Sequence, residues 1–112
     1  MIFGVRKYMD NIRNYFKGWI IGNFEPSILK SNELEIGIKK YKKGDKEEKH
    51  YHKIADEYTI VISGKIKMNQ NEVKKGEIYL VKSGTENQFE SITNSIILVI
   101  KTPSIPGDKY LS

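Results

Sequence analysis

The sequence predicts an all-β fold, an antiparallel barrel or sandwich, preceded by a short N-terminal helix. Three observations carry this. Beyond residue 33, apolar and polar residues alternate with period two: Leu34, Ile36 and Ile38 interleave with Glu33, Glu35, Gly37 and Lys39, the spacing of a half-buried strand. Turn signals recur at short intervals, at Gly44-Asp45, Gly64, Asn69-Gln70-Asn71, Gly76 and Ser83-Gly84, and punctuate a series of short strands. The stretches between them, such as residues 58–63 and 95–102, are rich in β-branched side chains, which suit a pleated sheet.

In chain order, Val5, Tyr8, Met9, Ile12 and Phe16 recur at helical spacing and Gly18 stands where such a helix would end, so an amphipathic helix is expected there. Residues 19–24 read as a lead-in strand, followed by a loop through Pro26 and Asn32. Strands are then expected around residues 33–39, 58–63, 66–68, 78–81, 89 and 95–102. The tail from Pro103 to Asp108 reads as irregular, because Pro103 and Pro106 cannot donate to a ladder. The expected organisation is one domain: residues 1–32 as helix and lead-in strand, 33–102 as the barrel, and 103–112 as the tail.

Composition narrows the function classes. The 112 residues carry a formal net charge of +5 and no cysteine, which excludes a disulfide framework and a thiolate metal site. Seven lysines between Lys39 and Lys53 face Asp45, Glu47 and Glu48. With two tyrosines and no arginine among them, they read as a solvated loop, not a nucleic-acid or membrane patch. The longest apolar run, Ile96 to Ile100, is too short to span a bilayer, and the first residues lack the apolar stretch of a signal peptide. A cytoplasmic protein with neither nucleic-acid nor membrane partners is expected.

The two histidines are His50 and His52. On a strand, residues i and i+2 share a face about 7 Å apart, so both imidazoles can converge on one ion. Imidazole suits zinc, iron, nickel and copper. Glu57, at the start of the next strand, is the natural third donor. Thr59 and Val61 share its parity and should face the same pocket; Gln88 and Glu90 have the opposite parity to Asn87 and should not.

Gly44, five residues, His50-Tyr51-His52, four residues, Glu57, six residues and Gly64 together resemble the first cupin motif. Gly76 and Gly84 match glycines of the second. That motif's proline and histidine positions hold Lys82 and Asn87, with Phe89 as a typical companion. The resemblance implies a double-stranded β-helix, or jelly-roll, over residues 33–102. It also implies one divalent transition metal (Fe, Mn, Ni or Zn) on His50, His52 and Glu57, with Asn87 in the place of the family's fourth ligand. A neutral amide oxygen is a weaker donor than imidazole.

Three activities are compatible with that resemblance. One is a metal-dependent oxygenase or isomerase of a small polar metabolite. Another is a metal-free isomerase or epimerase of a sugar nucleotide, with His50 and His52 as catalytic acid and base. The third is a non-catalytic cupin that binds a small molecule in its barrel. Tyr51 and Glu48 read as rim residues, and Trp19 as core. A homodimer is expected as well: Tyr58, Ile60 and Ile62 lie opposite in parity to Glu57, Thr59 and Val61, and residues 96–100 are apolar on both faces, so something must cover the outside of the sheet.

Overall fold

The computed structural model describes residues 9–112. Its strands are β1 (Trp19–Gly22), β2 (Leu29–Lys30), β3 (Glu35–Tyr41), β4 (Lys46–Tyr51), β5 (Asp56–Ser63), β6 (Lys65–Met68), β7 (Asn71–Lys74), β8 (Ile78–Val81), β9 (Asn87–Ser91), β10 (Ser95–Thr102) and β11 (Tyr110–Leu111). They form a six-stranded sheet in the order β2-β1-β3-β10-β5-β8 and a five-stranded sheet in the order β11-β4-β9-β6-β7. β1 and β2 run parallel, and the other pairs run antiparallel.

The two sheets enclose one core. Val61, Val81, Ile97 and Val99 enter it from the larger sheet, and Ile66, Met68, Val73 and Phe89 from the smaller. Burying each such side chain stabilises the fold by about 1.5–3 kcal/mol. This is the double-stranded β-helix that the motif implied. Gly64 sits at the turn from β5 to β6 with φ +81°, and a Cβ there would stand 2.2 Å from the Asn94 carbonyl oxygen. Both facts demand glycine. Asn69 and Gln70 also adopt positive φ, which closes the expected β6–β7 hairpin.

Three expectations change. The N-terminal helix is two 3₁₀ turns, Ile12–Asn14 and Phe16–Gly18, with Tyr15 extended between them; Val5 and Tyr8 lie outside the described residues. Only Tyr15 of this segment is buried, while Met9, Ile12 and Phe16 are exposed. A helix needs a packed apolar face to offset its nucleation cost, and here Met9, Ile12 and Phe16 stay exposed. Instead the turns lie beside β3, where Ile12, Tyr15 and Gly18 line a groove with Ile38 and Tyr41.

The second change is in β3. Its period is two, but Gly37 is the buried member and Leu34 is exposed. The indole of Trp19 occupies the space above Gly37, with Trp19 Cε3 2.7 Å from where a Cβ would stand. Ile36 and Ile38 consequently face outward. The third change is in the tail, which returns to the barrel and adds β11 to the edge of β4.

Candidate metal centre and ligand chamber

Alternation along β5 turns Glu57, Thr59 and Val61 inward, all buried. On the facing sheet, the register of β4 against β9 passes from Glu47↔Phe89 to His50↔Asn87 through an irregularity. Three steps on β4 match two on β9, as in a β-bulge, so Glu47 and His50 both align with inward-facing partners. His52 lies one residue beyond β4 and is held by its carbonyl, which accepts the Gly84 N–H at 2.6 Å. Asn87 and Phe89 are buried, whereas Gln88 is exposed, in line with their opposite parity.

The two imidazoles are oriented in the same way. His50 Nδ1 lies 2.9 Å from the Glu48 carbonyl oxygen, and His52 Nδ1 contacts the Asp108 carbonyl oxygen. A carbonyl can only accept, so each Nδ1 carries the hydrogen and each Nε2 keeps its lone pair. The ligand atoms of His50, His52 and Glu57 lie within 4.8 Å of one another, and the three residues are only 3, 3 and 6% exposed. His52 Nε2 stands 3.3 Å from Glu57 Oε1. With Nδ1 as the donor, this contact sets two acceptors against each other, and only a cation or an additional proton between them satisfies both.

Asn87 extends the cluster. Its Nδ2 donates to Glu57 Oε2 at 3.1 Å, which fixes the amide orientation because a carboxylate only accepts. Its Oδ1 is then buried without a hydrogen-bond partner among the described residues. Two imidazole nitrogens, a carboxylate and an unpartnered amide oxygen form a donor set that fits a divalent transition ion.

The electrostatics hold these groups in their ligating forms. Burial pushes the pKa of His50 below its ordinary 6.5. For Glu57, burial alone would raise the pKa. A proton shared with His52 Nε2 and the positive field of Lys101 outweigh it, and the net direction is downward. A neutral imidazole and an ionised carboxylate are the forms that coordinate a metal.

Asp108 was not legible as a site residue. Its carboxylate accepts the backbone N–H groups of Lys53 at 2.9 Å, Ile54 at 3.1 Å and Ala55 at 2.9 Å, while its carbonyl oxygen orients His52. One tail residue thereby pins both the loop after His52 and the ring itself. β11 reinforces it through Tyr110↔Tyr51 and Leu111↔His50 pairing, and the rings of Tyr51 and Tyr110 stack at 5.4 Å. Tyr51 thus anchors the tail, and Glu48 contributes its carbonyl. The sequence signal was only a Gly107-Asp108 turn, which does not reveal what the carboxylate caps.

Above the cluster is a chamber of about 260 Å³, bordered by Trp19, Lys39, Tyr41, Thr59, Lys101 and Lys109 together with His50, Glu57 and Asn87. Trp19 both packs against the core and borders this space. Cross-strand pairing sets Lys101 between Glu35 on β3 and Glu57 on β5.

No protein-family model matches the sequence, and a search of curated proteins finds no relative. Solved structures do match in fold. A protein with a double-stranded β-helix domain from Klebsiella pneumoniae has a TM-score of 0.71 at 17% identity, over 95% of this chain and 92% of its own. An RmlC-like cupin from Shewanella frigidimarina scores 0.63 at 18% identity, over 67% of this chain and 70% of its own. The DMSP lyase DddQ from Ruegeria pomeroyi scores 0.70 at 17% identity and covers 84% of this chain, which spans only 49% of the lyase.

Proposed function

Starting from a cupin fold with two histidines and a carboxylate converging inside it, we propose that this protein holds one divalent transition ion on His50, His52 and Glu57. With it, the protein acts as an oxygenase or isomerase on a small polar metabolite in the barrel. The observation that carries this reading is the shared orientation of the imidazoles: both direct Nδ1 at a backbone carbonyl, and His52 Nε2 is left facing Glu57 Oε1 at 3.3 Å. Bound there, such an ion supplies Lewis acidity to a substrate oxygen. The protein's own groups do the rest. Asn87 Nδ2 steadies Glu57 and adds its unpartnered Oδ1 as a fourth donor. Asp108 steadies His52.

A second reading rests on the 3.3 Å contact between His52 Nε2 and Glu57 Oε1. With a proton there instead of a metal, the pair is a histidine–carboxylate acid–base couple, and His50 and His52 would move a proton next to a carbonyl of a sugar nucleotide. Elemental analysis of protein purified without a polyhistidine tag separates the two. Near-stoichiometric metal in the wild type, reduced at least about a hundredfold in affinity by His52→Ala, is expected for the metal reading. Metal-free wild type that isomerises a keto-sugar nucleotide would replace it with the second.

The same proposal includes a homodimer formed through the outer face of the larger sheet. Register places Ile38, Leu98, Ile60 and Ile78 in one row across four strands, and Ile36, Ile100, Tyr58 and Leu80 in the next. Ile78 is 64% exposed and Leu80 41%. A second copy related by a two-fold axis offers the same rows and buries both.

A further inference from the structure

Four lysines border the chamber: Lys17, Lys39, Lys101 and Lys109. Against them stand two carboxylates, and each has a partner. Glu47 Oε2 accepts the Tyr41 hydroxyl, and Glu57 belongs to the histidine cluster. Glu35 Oε2 forms an ion pair with Lys101 at 3.6 Å, and its Oε1 accepts the Ser104 hydroxyl at 2.8 Å, so it offsets one of the four charges. Lys39 donates to the Lys17 carbonyl oxygen at 3.0 Å, which uses one of its three donors. The Lys101 side chain is only 17% exposed.

The two inner lysines share a platform. Lys39 Nζ stands 4.7 Å from the centroid of the Trp19 ring, and Lys101 Nζ stands 4.8 Å from it. The indole is fixed because it rests on Gly37. Both ammonium groups therefore stand against the same indole ring at the chamber wall. Burial lowers the pKa of Lys39 against the pull of Glu47, and repulsion from Lys101, Lys17 and Lys109 adds to the lowering. Lys39 thus senses the other three charges. Gathering like charges in a partly desolvated cavity is unfavourable unless an opposite charge joins them.

The geometry points to a small organic carboxylate as the ligand of this chamber: its anionic group lies between Lys39 and Lys101, its short carbon skeleton on Trp19, and its other polar end reaches toward His50 and Glu57. A volume of about 260 Å³ suits a small metabolite and is below the usual range for larger ligands. The apolar ring beside the two ammonium groups favours a carboxylate on carbon over inorganic phosphate. This assignment rests on the barrel being a ligand site, as proposed above, but the anion contacts come from the lysines and not from the metal.

Trp19 is the only tryptophan in the chain, so its emission reports directly on the platform. Acetate, oxalate, succinate, citrate and inorganic phosphate are titrated at physiological ionic strength, with succinamide as the uncharged control. At least one carboxylate is expected to change Trp19 emission saturably, with a Kd of about a millimolar or tighter, and succinamide is not. Lys39→Met and Lys101→Met should each weaken that binding about tenfold or more, and Lys39→Met, which lies away from Glu57, should do so with metal content unchanged. Lys39→Arg should retain it. In His52→Ala the lysine-dependent response should persist, so a failed metal reading leaves the anion site intact. The assignment is overturned if no carboxylate binds, if phosphate alone binds, if the methionine variants bind like wild type, or if the response disappears with the metal in His52→Ala.

Discussion

On the five-stranded sheet, Lys65, Lys67, Glu72, Lys74 and Gln88 alternate with the buried Ile66, Met68, Val73, Asn87 and Phe89, and Lys65 pairs with Glu72 at 3.5 Å. On the six-stranded sheet the corresponding outward positions hold Ile36, Ile38, Tyr58, Ile60, Ile78, Leu80, Leu98 and Ile100. One fold thus carries two kinds of outer face. The first is finished for water, as expected of an antiparallel sheet. The second is apolar on both sides, and its inner side carries more charge toward the chamber end, with Glu35, Lys39, Glu57 and Lys101. The difference teaches that polarity alone does not assign a face of a strand. It must be read with what lies on both sides.

The largest effect expected from this asymmetry is in assembly. Ile60→Glu puts a charge in the middle of the outer apolar rows and should convert a dimer to a monomer in light scattering. Lys74→Glu, on the outer face of the smaller sheet, should change neither mass nor stability by more than about 0.5 kcal/mol. A monomeric wild type, or a dimeric Ile60→Glu protein, would remove the interface from the larger sheet.

An intermediate effect is expected at the junction of the sheets. His50, His52 and Asn87 belong to the smaller sheet and its loop, and Glu57 to the larger. Asp108→Ala removes the acceptor of three backbone N–H groups and loosens the carbonyl that orients His52. Metal affinity should fall about ten- to a hundredfold, with a loss of stability of about 2 kcal/mol. Asp108→Asn, which keeps one acceptor oxygen, should recover part of both. If calorimetry finds wild-type metal affinity in Asp108→Ala, the tail does not position the site.

The smallest effect is the pH dependence of the metal-stripped protein, to which each sheet contributes one group. Burial lowers the His50 pKa from its ordinary 6.5, so as pH falls below that value the unfolded chain takes up a proton that the folded ring resists. Stability should decline there. The Glu57 pKa lies below its ordinary 4.5, so below that pH the unfolded carboxyl is protonated first, and stability declines again. Both contributions are fully present at neutral pH and are lost toward acid. Urea midpoints measured from about pH 8 to about pH 4 should fall on the acid side. A midpoint that rises toward acid would contradict both directions.

The spacing from Gly44 to Gly64 made the fold and the His50, His52 and Glu57 cluster legible, because strand alternation is local and two-valued. Parity also placed Thr59, Val61 and Gln88. The segments that misled were those whose structure depends on distant partners. β3 alternates as read, yet its inward member is Gly37, because Trp19 from another strand occupies that space. The helical spacing from Val5 to Phe16 does not give a helix within the described residues, where Met9, Ile12 and Phe16 stay exposed instead of packing as one face. Two prolines concealed a tail whose Asp108 caps a loop 53 to 55 residues earlier in the sequence.

The tail also ties the contents of the site to a motion. His52 keeps its ring orientation only while the chain around Asp108 stays docked, and that docking relies on a handful of hydrogen bonds at a sheet edge. Edges of this kind open locally at far lower free energy than the whole domain. Undocking the tail would release the N–H groups of Lys53, Ile54 and Ala55 together with the histidine ring. An ion held on His52 would then leave faster whenever the tail undocks, and hydrogen exchange at the backbone amides of those three residues would report each opening.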